Sequence, residues 1–286
     1  MDVSRVLSRN ARFQQWQSYL TTRAKRTKAG LFLVQGVRPV SMALERGWPI
    51  ESVLVRSEGA LSAWADGAVA DGRRSGAEIV SVAPDLMAEL GERADQPPEV
   101  LLVARTRLLD LADWTPDAPA PVIVVVDRPS SPGNLGTLIR SADAFGASAV
   151  VVTGHAADPF DPVAVRATTG SLFGIPVAAA AGPADVLAVV ERLRAAGVYT
   201  TVVGTDETGD RVIDEHDFRT ATVLVVGNET RGMSAAWREA CDVTVSIPIG
   251  GTASSLGAPS AGAVGLYEIA RQRRPDRRRI VGDSTS

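Results

Sequence analysis

Four times after residue 120 the chain writes a short run dominated by β-branched residues and then breaks it at a small or polar one. The runs are Val122–Val126, Ala149–Thr153, Tyr199–Val203 and Val223–Val226, and Val243–Ile247 has the look of a fifth. Strands that are apolar without alternation are covered on both faces, which is the signature of a mostly parallel sheet with helices on each side. The intervening segments supply those helices. Asn134 is suited to cap one that runs to about Phe145, where Gly146 can close it. The first hundred residues repeat the alternation less cleanly, with strands at Leu31–Val34, Ile50–Val55, Ile79–Val82 and Val100–Val103. Helices are expected at Val37–Glu45, stopped by Gly47, and from Pro84 to Arg93, which predicts a smaller layered α/β sandwich.

The three prolines between Leu108 and Pro121 disfavour either regular structure, so this stretch divides the chain. The expected organisation is an α/β domain over 1–106, a linker over 107–120, a second α/β domain over 121–274 and a disordered tail over 275–286. A chain of 286 residues is long enough for two such cores. Its lone cysteine, Cys241, rules out an internal disulfide framework and fits a reducing compartment. His155 and His216 have no cysteine or histidine companions, so no metal is expected. The start of the chain lacks the apolar run of a signal peptide, and no stretch is long enough to span a bilayer. The expectation is a soluble, cytoplasmic protein.

A net charge of −3 excludes a polycation, so any nucleic-acid surface must be local. Arg5, Arg9, Arg12, Arg23, Lys25, Arg26 and Lys28 stand against the single acid Asp2, with Phe13, Trp16 and Tyr19 among them. Such a segment is either an RNA-binding face or a solvated helix with core aromatics. A second basic run, Arg271, Arg273, Arg274 and Arg277–Arg279, suits a helix end followed by a tail.

Three loops carry candidate chemistry. Asn134-x-Gly136-x-x-x-Arg140 follows the first strand of the second domain; helical side chains lean toward the N-terminus, so Arg140 can reach back toward the loop. It lacks both the dinucleotide fingerprint and the P-loop lysine. Gly227-Asn228-Glu229-Thr230-Arg231-Gly232 follows Val223–Val226, at the strand end where open α/β sheets place ligands. The third is Ile247-Pro248-Ile249-Gly250-Gly251-Thr252-Ala253-Ser254-Ser255-Leu256-Gly257. Each alone reads equally well as a turn, a cap or a flexible loop.

In this order and with these strand contexts, the three motifs resemble those of the SpoU/TrmH-family RNA methyltransferases of the SPOUT superfamily, over about Pro121 to Arg273. Ser8–Trp16 and Gly36-Val37-Arg38-Pro39 resemble the RNA-binding extension carried by antibiotic-resistance ribosomal RNA methyltransferases of that family, an α/β fold shared with certain ribosomal proteins.

The resemblance implies a trefoil-knotted catalytic domain and a homodimer. S-adenosylmethionine would be held largely by backbone around Gly227, Ile247 and Leu256, with Val203, Gly204 and Thr205 as the facing loop. Asn134, Arg140, Glu229 and Ser255 match the family's active-site positions, and Arg166 would face substrate RNA. Methylation of a ribose 2′-hydroxyl in large-subunit (23S) ribosomal RNA is the implied reaction, with antibiotic resistance as one implied role. Gly257 departs from the family, which has asparagine there. That departure leaves open a relative that binds RNA with weak or lost methyl transfer.

Overall fold

The structure is a computed structural model that describes residues 4–92 and 96–274. It contains two compact units that alternate along the chain. One takes in Met1–Leu109, Pro129–Asp143 and His155–Val177; the other comprises Asp110–Arg128, Ala144–Gly154 and Ala178–Ser286.

In the first unit the strands β1 (Ser4–Val6), β2 (Leu31–Val34), β3 (Ile50–Arg56), β4 (Glu78–Val82) and β5 (Val100–Arg105) form a sheet ordered β1-β4-β3-β5-β2. β1, β4 and β3 pair in parallel, whereas β5 runs antiparallel to β3 and β2. The helices are α1 (Ala11–Thr21), α2 (Arg23–Ala29), α3 (Val37–Glu45), α4 (Ala63–Arg74) and α5 (Pro84–Leu90). Asn10 caps α1 by accepting the Phe13 N–H at 3.0 Å. Phe13, Trp16 and Tyr19 recur every third residue, so they share one face, and that face is core against Leu33, Leu54, Val80, Leu101 and Leu86. The interleaved aromatics are therefore packing residues. Several of the cations between them are also engaged: Arg9 pairs with Glu89 and Arg12 with Glu78. Lys25 and Lys28 stay exposed on α2.

This unit also holds α6 (Pro132–Ala144) and α7 (Pro162–Ala167). The two helices meet at Gly136, where an added Cβ would lie 2.4 Å from the Ala164 carbonyl oxygen and 2.7 Å from the Ala167 Cβ. The helix starts two residues before Asn134. Ser131 Oγ accepts the Asn134 N–H at 3.3 Å, and Pro132 occupies the first turn, where its missing N–H costs nothing. Ser131 thus takes the capping role expected of Asn134. Phe32 lies 4.8 Å from Phe160 and 6.4 Å from Phe173, and Trp48 meets Phe173 edge-on at 5.1 Å.

The second unit is built on β6 (Val122–Asp127), β7 (Ala149–Thr153), β8 (Val177–Ala180), β9 (Thr200–Thr205), β10 (Arg211–Val212), β11 (Ala221–Val226) and β12 (Val243–Ser246). Its order is β10-β12-β9-β11-β6-β7-β8, with parallel pairing between β10 and β12, β12 and β9, β9 and β11, β11 and β6, and β6 and β7. Every residue of β6, β7 and β11 is buried, as their unbroken apolar sequence requires. The last strand enters the sheet between β9 and β10 instead of adding to an edge.

Its helices are α8 (Pro183–Ala195), α9 (Ala235–Ala240) and α10 (Ala258–Gln272). Gly265 lets α10 approach β11, since a Cβ there would stand 3.1 Å from Leu224. The end of α10 is anchored. Arg273 donates to the carbonyls of Phe218 at 2.8 Å and Ala120 at 2.6 Å, and Arg271 pairs with Glu268. These two arginines serve the fold. Arg277–Arg279 lie outside the described residues.

Candidate active site

At the carboxyl ends of β9, β11 and β12 the second unit holds a cavity of about 580 Å³, within the range of small-molecule and cofactor sites. Three segments wall it: Thr205–Thr208, Val226–Gly232 and Val245–Ile249, closed by Ser254–Ala258. Val226, Ile247, Ile249 and Leu256 give apolar surface, whereas Asp206, Asn228, Glu229 and Ser246 give polar atoms. A flat heterocycle with a polar tail suits this mixture.

The Gly227–Gly232 wall is a closed turn. Asn228 and Gly232 exchange backbone hydrogen bonds at 3.0 Å in both directions. Asn228 Oδ1 accepts from the N–H groups of Thr230 at 3.0 Å and Arg231 at 3.1 Å. Gly227 is required by close approach: a Cβ there would fall 2.4 Å from the Met233 nitrogen. Gly232 has φ +65°, where L side chains are strained.

Opposite, Asp206 pairs with Arg238 at 2.6 Å and accepts from the Thr208 N–H at 3.0 Å and its hydroxyl at 2.9 Å. Burial alone pushes this carboxyl up, but those hydrogen bonds and the Arg238 charge outweigh it and hold Asp206 below the usual carboxylate range. It presents a firmly ionised carboxylate to the cavity. Cys241 is no nucleophile: burial first, then the neighbouring Asp242 charge, push its thiol up to about 12.

The expected site residues divide between the two units. Thr205, Gly227, Glu229, Ile247, Ser255 and Leu256 all line the cavity. Val203 and Gly204 are buried in β9 and are not part of its wall. Gly204 instead admits Met233 and Cys241, whose side chains would stand 2.6–2.8 Å from an added Cβ. Asn134 and Arg140 lie on α6 and Arg166 on α7, in the first unit. Arg140 is exposed. Arg166 pairs with Glu92 and donates to Gln35 Oε1 at 3.2 Å. Sequence reasoning missed Asp127, Arg128, Asp206 and Asn228 as builders of the wall. A carboxylate closing a five-residue apolar strand was the available signal for Asp127.

Comparison with known proteins matches this chain to a family. The family model described as the SpoU rRNA methylase family matches residues 121–267, and that of the SpoU L30e-like domain matches residues 10–102. This chain belongs to the SpoU rRNA methylase family.

This SpoU methylase is 51% identical to a 23S rRNA (uridine(2479)-2′-O)-methyltransferase of Streptomyces viridochromogenes, over 94% of this chain and 92% of that one. It is 30% identical to the 23S rRNA (guanosine(2553)-2′-O)-methyltransferase RlmP of Bacillus subtilis, over 92% of this chain and 97% of the relative. Its fold superposes with a TM-score of 0.86 on the SpoU methyltransferase AviRb from Streptomyces viridochromogenes, crystallised with the cofactor AdoMet. That match has 50% identity and covers 93% of this chain and 98% of AviRb. The resemblance read from the motifs is thereby established, and with it the α/β fold with a parallel-sheet catalytic domain and an L30e-like N-terminal domain.

Proposed function

We propose that this SpoU methylase transfers the methyl group of S-adenosylmethionine to a ribose 2′-hydroxyl of large-subunit (23S) ribosomal RNA. The observation that carries the reading is the cavity itself, walled by the second and third family motifs within a chain that superposes on an AdoMet-bound relative. The cofactor's sulfonium supplies an already activated methyl group. Transfer breaks the carbon–sulfur bond, forms a carbon–oxygen bond and releases the hydroxyl proton. The protein therefore has to align the partners and stabilise developing charge on the ribose oxygen.

Within that scheme Gly227, Ile247 and Leu256 hold the cofactor through backbone and apolar contact, with Val203, Gly204 and Thr205 forming and backing the opposite wall. Arg140 stabilises the alkoxide or grips a phosphate. A guanidinium stays charged near neutral pH, so it is a poor base but a good oxyanion partner. Asn134, Glu229 and Ser255 are the other residues assigned to the transfer, and Arg166 contacts substrate RNA. The first domain, residues 1–106, supplies RNA affinity, and residues 121–274 form the catalytic domain.

The enzyme works as a homodimer. Val264 and Tyr267 are exposed on α10, with Phe145 stacked edge-on 6.2 Å from Tyr267, and an apolar helix face of this kind fits a second copy. Among the described residues no helix is long and apolar enough to cross a membrane, and a ribosomal RNA substrate places the enzyme in the cytoplasm. Protection against a ribosome-binding antibiotic is one role this activity serves.

Mapping 2′-O-methyl sites in 23S ribosomal RNA from cells with and without the gene tests the reading. One site should vanish in the deletion strain and return with the parent gene. An unchanged map would overturn the assignment to 23S RNA.

A further inference from the structure

Asp127 is only 2% exposed, at the carboxyl end of β6, where an ionisable side chain is costly unless well partnered. Its partners lie in the segment that follows β11. One carboxylate oxygen accepts the Ser234 backbone N–H at 2.7 Å, and both oxygens lie 3.2 Å from Arg128 Nε. Arg128 Nη2 in turn donates to the Gly232 carbonyl at 3.1 Å. Asn228 closes the loop from the other side, donating to the Arg128 carbonyl at 2.6 Å. On its sheet side the carboxylate meets Thr153 Oγ1 at 3.4 Å, and that hydroxyl accepts Trp237 Nε1 at 3.1 Å. Arg128 itself has φ 52°, a conformation that persists in a non-glycine residue only where the surroundings over-determine it.

Two consecutive residues thus hold Asn228, Gly232 and Ser234, spanning the Gly227–Gly232 cavity wall. Neither Asp127 nor Arg128 lines the cavity, so each can reach a bound molecule only through that wall. We infer that Asp127, acting through Arg128, is a positioning residue that holds the Gly227–Gly232 wall in its cofactor-binding shape before the cofactor arrives. The inference rests on the reading that this cavity takes S-adenosylmethionine. Prepaying the order of the wall tightens binding without touching the chemical step.

The test uses the full chain and S-adenosylmethionine itself. Asp127→Asn keeps the size but loses the charge that faces Arg128. It should raise both the calorimetric Kd and the KM for the cofactor tenfold or more, with kcat at saturating cofactor within threefold of the parent. Arg128→Ala, at a side chain 30% exposed and so tolerant of change, should weaken the cofactor at least threefold. A destabilising control, Val150→Ala inside β7, should lower Tm and leave Kd unmoved, which separates positioning from general loss of stability. If Asp127→Asn does not fold, Arg128→Ala decides in the same way.

A Kd within twofold of the parent in the deciding variant overturns the inference, as does an equal shift in the Val150→Ala control. A parent chain that fails to bind S-adenosylmethionine overturns the underlying reading as well; a parent that binds while the variants bind equally well overturns the clamp alone.

Discussion

Gly257 has φ 66° and ψ 148°, a region that essentially only glycine occupies. If the asparagine amide of the family were what Gly257 lacks, Gly257→Asn would tighten the cofactor through one regained hydrogen bond. The backbone reverses that expectation. An added Cβ would meet nothing within 4 Å, so space is available and the obstacle is the dihedral angle. Gly257→Asn should cost about 1–3 kcal/mol of stability and leave cofactor affinity equal or weaker, measured by thermal unfolding and calorimetry. Tighter binding would contradict this. Cys241 gives a second test at this scale. Its folded thiol is pushed up to about 12, whereas an unfolded thiol ionises near 8.5, so the folded state holds the proton longer. Stability from this group is full below pH ~8.5 and is lost as pH rises toward 12, on the order of 2 kcal/mol by pH 10. Urea unfolding of the parent and of Cys241→Ser at pH 8 and pH 10 should show a larger loss in the parent. The cysteine's inertness was legible from its place before an apolar strand. The work of Asp127 was not, because a strand-ending aspartate and a loop-holding one are the same letter until the loop is placed.

Arg26 shows how an element's charge can mislead. From sequence it is one of seven cations offered to RNA. In the structure it is 3% exposed, bonded to Asp158 at 2.8 Å, Asp161 at 3.1 Å and the Tyr19 carbonyl at 2.7 Å. It ties α2 to the segment before α7 and has no surface left for a phosphate. Removing one member of a buried ionic cluster strands the rest, so Arg26→Ala should cost about 3–5 kcal/mol by urea denaturation. A loss below about 1 kcal/mol would mean the aspartates are re-solvated. Strand cores such as Leu31–Val34 and Ala149–Thr153 were readable to the residue, because short apolar runs bounded by turn formers have few alternatives. The three-residue β1 and two-residue β10 were not, since pairs that short are stabilised by neighbours and not by their own sequence. Ser131 displaced Asn134 as cap for a similar reason: both types can cap, and Pro132 fixes the first turn one residue after Ser131.

Across the molecule, the proline-rich break divides the sequence into an N-terminal domain and a catalytic domain. The compact units cut across that division, since His155–Val177 groups with the N-terminal sheet. Deleting residues 1–106 would expose Phe160 and Phe173, now 5% accessible, and leave Asp158 and Asp161 without Arg26. The truncated chain should therefore aggregate or melt well below the parent instead of giving a stable cofactor-binding fragment. A soluble fragment with parental Tm would show that the second domain carries its own stability. The motifs made the family and the cavity segments legible, because chemistry confines them to strand ends. They could not show which side chains build the wall, which depends on contacts between residues about a hundred positions apart. Methyl transfer to ribose turns most sharply on Arg140. Arg140 is exposed on α6, so Arg140→Ala should change stability by no more than about 0.5 kcal/mol. The decisive measurement is transfer of labelled methyl from S-adenosylmethionine to unmodified 23S ribosomal RNA, followed by digestion to nucleosides. Label should appear in a single 2′-O-methyl nucleoside with the parent, and in none with Arg140→Ala at undiminished cofactor affinity. Label on a base, or transfer by Arg140→Ala near the parent rate, would contradict it.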